Sequence, residues 1–271
     1  MVPIDYCLLM KFYSMRNVFY CLVLFPLMVG CGPAVKPPDN DLVKGAEALH
    51  RHKSQNIEAI LFFAEDNNGR ISDSSVLKNS SLVFNSFVKR DNAPVWSVGN
   101  TWHPRTDSLL AFIRNSANSG LYPLDYHLKA LNGIRSIIAS DSIRRQDAVL
   151  WAKADILLTD ALFQITKDLK VGRVPPDTLI SRKTLVLSET FYDTVLQGVL
   201  HSYSLSNYLS GLEPQHPEYL STKKGLKRFL DSADLRRFTF IPYPLKDSAL
   251  LIRLLHKRLF ELDLLQTIKS N

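Results

Sequence analysis

Beyond Cys31 this sequence contains no cysteine; the three among its 271 residues are Cys7, Cys21 and Cys31. Everything after residue 31 therefore lacks a disulfide, a thiolate metal site and a cysteine nucleophile. Glycine signatures are equally scarce, with no G-x-S-x-G elbow, no Walker loop and no dinucleotide fingerprint. Ser, His and Asp all occur, but no spacing singles out a catalytic triad. None of the seven histidines pairs with another at helical spacing. His50 and His52 stand two apart and would face different sides of a helix. No metal and no cofactor is expected. The absence of zinc-finger spacing and of an RNP-like aromatic strand sets nucleic acid aside as a partner. Fourteen prolines and eleven glycines are ordinary counts, and no fixed-period repeat or low-complexity block breaks the chain.

What is present describes a globular chain, 46% hydrophobic and 22% charged, long enough for one or two cores. Its net charge of +7 suits an anionic neighbour such as anionic lipid or cell wall. The strongest local signal is "MKFYSMRNVFYCLVLFPLMVGCG", residues 10–32, with Lys11 and Arg16 ahead of an apolar run from Val18 to Val29. That is a secretory n-region and h-region, too short for a comfortable membrane span. Leu27-Met28-Val29-Gly30-Cys31 resembles a bacterial lipobox, which implies a diacylglyceryl thioether on Cys31, usually joined by a third acyl chain. Two or more chains anchor stably where one does not. The plainer alternative is a cleaved signal that Cys31 happens to follow. Asp5 sits badly in an n-region, so Met10 and Met15 compete with Met1 as the start. Residues 1–30 are thus expected as a lipoprotein signal. Residues 31–42, which include the polar "GPAVKPPDND", are expected as a lipidated tether. This places the chain on the periplasmic side of the inner or outer membrane.

The body reads as mainly α. "RTDSLLAFIRNSANSG" puts Leu109, Phe112, Ile113 and Ala117 on one face and ends at Gly120, a suitable C-cap. "LDYHLKALNGIRSIIAS" predicts a helix capped by Asp125 that buries Leu128, Leu131 and Ile138. In "DAVLWAKADILLTDALFQITKDLKVG", Leu150, Ala154, Leu157, Leu158, Ala161, Ile165 and Leu169 recur at three and four. Gly172 with Pro175-Pro176 stops that run. Further helices fit 188–202, 204–211, 217–231 and 247–265. Only "RFTFIPY" and "APVWSV" look extended.

The stretch "GLEPQHPEYLSTKKGLKRF", residues 211–229, sets Glu213, His216 and Glu218 around two prolines before a lysine-rich run. An acid–base site would need a cleft and a shifted pKa. The structural reading needs less: Pro214 and Pro217 stiffen a helix entry, Glu218 favours its positive end, and His216 holds the turn. "KKGLKR" reads as a solvated helix face that wall carboxylates could use. "DNNGRISD" at 66–73 has Arg70 where a calcium loop needs an oxygen ligand and lacks the closing Glu, so it reads as a turn.

These segments keep company. "DNAPVWS" (91–97), "GLYPLDYHLKAL" (120–131), "WAKADILLTDALFQITKDLKVGRVPPDTL" (151–179) and "LEPQHPEYLSTKKGLKRF" (212–229) follow in that order. Together they resemble the scaffold domain of the large periplasmic L,D-transpeptidases, especially Bacteroidetes-type relatives, over roughly residues 83–265. The resemblance implies a compact, helical, non-catalytic scaffold domain at 43–240, matched best from about 83. It also implies that "PLKDSALLIRLLHKRLFELDLL" (244–265) leads into an incomplete peptidoglycan-binding-like domain at 247–271. The family's catalytic signature, a His-containing segment followed by S-x-G-C-[IV]-R, is not in the sequence, and transpeptidation needs a thiolate. The chain as it stands is expected to be inactive, with no catalytic residue carried over. It reads either as the front part of an interrupted transpeptidase or as a stand-alone envelope lipoprotein. The expected partners are peptidoglycan, weakly or indirectly, the membrane through its lipid, and an envelope protein.

Overall fold

A computed structural model describes residues 36, 38–174, 186–233, 238–244, 246–262 and 264–265. The helices among them are α1 (Ala46–Asp66), α2 (Ser80–Val88), α3 (Pro104–Arg114), α4 (Leu128–Ser140), α5 (Ala148–Lys170), α6 (Glu189–His201), α7 (Leu205–Ser210), α8 (Pro217–Ser232) and α9 (Ser248–Glu261). Two small antiparallel hairpins complete the regular structure: β1 (Arg70–Ser72) with β2 (Ser75–Val76), and β3 (Ser97–Val98) with β4 (Thr101–Trp102). The protein is mainly α, as its periodicity predicts.

By its contacts the chain divides into two units. The first is Met1–Ala117 with Leu121–Pro214; the second is Asn118–Gly120 with Gln215–Asn271.

The first unit is built around α5. Asp147 caps this helix by accepting from the Val149 amide at 3.1 Å, and its carboxylate also takes the Asp41 amide at 3.0 Å. Gly172, at φ 100, follows the last turn in a conformation that suits a residue without Cβ. All seven apolar positions expected on one face are buried, but Ala148, Val149, Trp151, Ala152, Ile156, Leu162 and Phe163 are buried too. The helix is therefore covered nearly all round, save at Lys167 and Lys170 in its last turn, rather than amphipathic. The helices α1, α2, α3, α4 and α6 pack on it.

Several expectations need adjustment. Helices α1 and α2 were not expected. In α1 the buried row Leu49, Lys53, Asn56, Ile57, Ile60, Leu61 and Ala64 has helical spacing, but two polar members hide it. Helix α3 ends at Arg114; a 3₁₀ turn at Ser116–Ser119 then leads to Gly120 at φ 73. Asp125 does not cap α4. A 3₁₀ turn spans Pro123–Tyr126, and α4 starts after His127, whose φ is 56. Of the two segments expected as extended, "APVWSV" supplies β3, whereas the described part of "RFTFIPY", residues 238–243, forms no strand.

In the second unit, neither α8 nor α9 has a buried residue. Asp247 caps α9 through the Ala249 and Leu250 amides at 2.9 and 3.0 Å. Near the other end, Glu261 takes the Thr239 amide and hydroxyl, both at 2.6 Å. Its leucines are only partly covered, with Leu255 42% and Leu259 37% exposed.

Candidate functional site

Two of the family-like segments, 120–131 and 151–179, are joined residue to residue. The Tyr126 hydroxyl donates to Asp168 at 2.8 Å, and His127 Nε2 lies 2.6 Å from Asp160. Arg173 donates to Asp125 from Nε at 3.1 Å and from a terminal nitrogen at 2.5 Å. Consecutive residues of a 3₁₀ turn and its exit thus meet α5 at its middle, in its last turns and just past its end. Asp160 also gathers the amides of Lys78 and Asn79, at 3.1 and 2.8 Å, so the same helix holds the entry to α2. Each carboxylate is satisfied by several donors, which a buried charge requires.

The electrostatics follow from that geometry. Burial raises the Asp168 carboxyl above its usual range, against the Tyr126 and Gln164 hydrogen bonds. Burial, and then the Asp168 hydrogen bond, push the Tyr126 hydroxyl up. At Asp125 burial also works upward, but the Arg173 and Lys78 hydrogen bonds outweigh it and hold the carboxyl below its usual range.

A second network lies deeper. Asp155 is fully buried and accepts from the Val95 and Trp96 amides, both at 2.5 Å, and from the Ser97 hydroxyl at 2.7 Å. Lys53, also at 0% exposure, donates to Ser97 Oγ and to the Gly99 carbonyl, each at 2.9 Å. Its ammonium stands 5.4 Å above the Trp151 ring. Burial lowers Lys53 to about 8, with the Asp155 charge opposing. The Lys–Ser–Asp chain looks like nucleophile activation, but Ser97 is 2% exposed. A hydroxyl closed off from solvent cannot meet a substrate, so the network anchors the β3 segment and α1 to α5.

Between the two motif segments the surface opens into a depression of about 460 Å³, lined by Lys78, Asp125, Gln164, Lys167, Asp168 and Arg173 among others. Sites for small ligands commonly span roughly 300–1,000 Å³. Lys78 reaches Asp125 at 3.3 Å, and the Arg173 guanidinium lies 4.0 Å from the Tyr122 ring centroid.

The residues singled out from sequence do not converge here. Cys31 and the signal segment lie outside the described residues, as do Pro175 and Pro176. Glu213 is buried, whereas His216 and Glu218 are exposed. His216 occupies the N-cap of α8 ahead of Pro217, but its side chain makes no capping hydrogen bond. The expectation that it holds the turn by such a bond is corrected, since proline at N1 already fixes the entry. His50 is exposed, and His52 Nδ1 lies 2.9 Å from Asp41. The 66–73 segment is the turn between α1 and β1 together with β1 itself, with Asn68 and Gly69 at φ 53 and 78.

Sequence reading passed over Lys53, Asp155, Asp160 and Asp168. The signal was available: carboxylates recurring inside an otherwise apolar helix require partners, because they are almost never buried unpaired.

A family model described as a scaffold domain matches residues 82–226, more than half of the chain. No curated protein and no solved structure matches it.

Proposed function

This chain belongs to the scaffold-domain family, and from that we propose that it is the non-catalytic scaffold part of an L,D-transpeptidase-like envelope lipoprotein. In this reading Cys31 carries the lipid, the protein sits on the periplasmic side of a membrane, and its partner is peptidoglycan. The observation that carries the proposal is the scaffold match at 82–226. That span contains three of the ordered segments whole and most of the fourth. The internal bonds of two of them support a structural rather than catalytic role for the polar residues at 125–127, 160, 168 and 173. The lack of any cysteine after Cys31 supports it too, because acyl transfer in this enzyme class needs a thiolate.

Two measurements test the proposal. Radiolabelled palmitate should enter the wild-type chain and not Cys31→Ser; equal labelling of both removes the lipoprotein. Incubated with tetrapeptide muropeptides, the purified chain should form no 3→3 cross-link. A cross-linked product above a buffer control contradicts the non-catalytic assignment.

A further inference from the structure

The 460 Å³ depression retains recognition groups that the joining of the two segments does not use. Asp125 is committed to Arg173 and Lys78, but Lys167, an exposed side chain in the last turn of α5, makes no hydrogen bond or ion pair among the described residues. Asp168 receives one donor on each oxygen, from Tyr126 and Gln164. A carboxylate has about four acceptor positions, so capacity for a further donor remains. Apolar side chains stand exposed beside these charges: Val174, which lines the depression, at 83%, and Tyr122, against Arg173, at 60%. The Arg173 guanidinium holds the Tyr122 ring in place from 4.0 Å.

We propose that this depression binds the end of a short peptide that carries both a free carboxylate and a free amine. The carboxylate meets Lys167 and Lys78, the amine meets Asp168, and the aliphatic parts lie on Tyr122 and Val174. The lining decides between ligand classes. Three cations face two carboxylates, so an isolated polyanion such as phosphate would gain from Lys167 but be repelled by Asp125 and Asp168. A ligand with both signs meets complementary charge at both ends. The exposed aromatic and aliphatic groups suit a peptide better than a bare ion. The stem peptides of peptidoglycan have this chemistry, and naming them as the source rests on the wall-associated reading above. The binding chemistry itself does not depend on it.

The test uses the full chain in detergent and isothermal titration with three probes. These are a disaccharide tetrapeptide bearing a diamino acid, the L-peptide Ala-Glu-Lys-Ala, and that L-peptide with both ends capped and its side chains neutralised. The wall peptide should bind, Lys167→Ala should weaken it roughly tenfold, as loss of a charge-assisted contact does, and the capped peptide should fail. Lys224→Ala, on exposed α8, should bind as wild type does. If the L-peptide alone binds and depends on Lys167, the depression is a peptide site and its wall source is wrong. Failure of both free-ended peptides, or affinity that Lys167→Ala leaves unchanged, overturns the site.

Discussion

Tyr126 and Asp168, 42 residues apart in sequence, share a buried hydrogen bond of 2.8 Å. It ties the 3₁₀ turn before α4 to the last turns of α5, and it is the innermost of the three bonds between the two segments. Tyr126→Phe keeps the ring in the core and removes the donor. The variant should lose about 1–3 kcal/mol, the usual cost of leaving a buried acceptor short of a partner. Because the Tyr126 hydrogen bond lowers the Asp168 pKa, that pKa should also rise. Urea denaturation checks the first expectation, and carboxyl titration by NMR checks the second.

Asp155 organises a separate part of the core. Asp155→Ala leaves the Val95 and Trp96 amides and the Ser97 hydroxyl without their acceptor, and Lys53 without its counter-charge. Each buried donor left without its acceptor costs about 1–3 kcal/mol. The loss should appear as a lower denaturation midpoint, with amide exchange accelerated first around residues 95–97.

The Lys53 shift has a definite sign. Its pKa falls from the ordinary 10.5 to about 8 on folding, so between those values the unfolded chain holds a proton that the folded chain has released. Stability therefore rises with pH across that window. Tyr126 acts oppositely above its ordinary 10.0, because its folded-state pKa is raised. The net rise should run from about pH 8 to 10 and amount to at most roughly 3 kcal/mol. Lys53→Met should flatten it. A wild-type profile that falls through this range, or an identical slope in the variant, removes Lys53 as the cause.

Gly198, inside α6, approaches the Tyr208 ring of α7 so closely that an added Cβ would overlap the hydroxyl and two ring carbons. Gly198→Ala should destabilise by about 1–3 kcal/mol through overpacking, despite alanine's better helix propensity. Combining it with Tyr208→Ala should restore part of the loss, as a double-mutant cycle would show.

The helices whose apolar residues recur cleanly were legible in sequence. Predictions at 188–202, 204–211 and 217–231 correspond to α6, α7 and α8 within about a residue, because Ser188, Ser204 and Pro217 mark their starts. Helix α1 was not legible, because Lys53 and Asn56 occupy its core positions and only long-range partners make them tolerable there. The candidate site was illegible for the same reason. Lys78, from the segment between β2 and α2, meets Lys167 and Arg173 at the end of α5 only in the tertiary structure, and nothing in local spacing announces it. Family-like segments were visible as segments, but their bonding to one another through Asp125, Tyr126 and His127 required the tertiary structure.

The central claim is that this scaffold-domain chain associates with peptidoglycan without modifying it. Co-sedimentation of the full chain, in detergent, with purified sacculi tests it most directly. The account predicts a saturable, weak enrichment in the pellet, reduced by competing soluble muropeptides, with the sacculus composition unchanged afterwards. A chain that stays in the supernatant at every sacculus concentration contradicts the association. New cross-links in the recovered sacculi contradict the non-catalytic role.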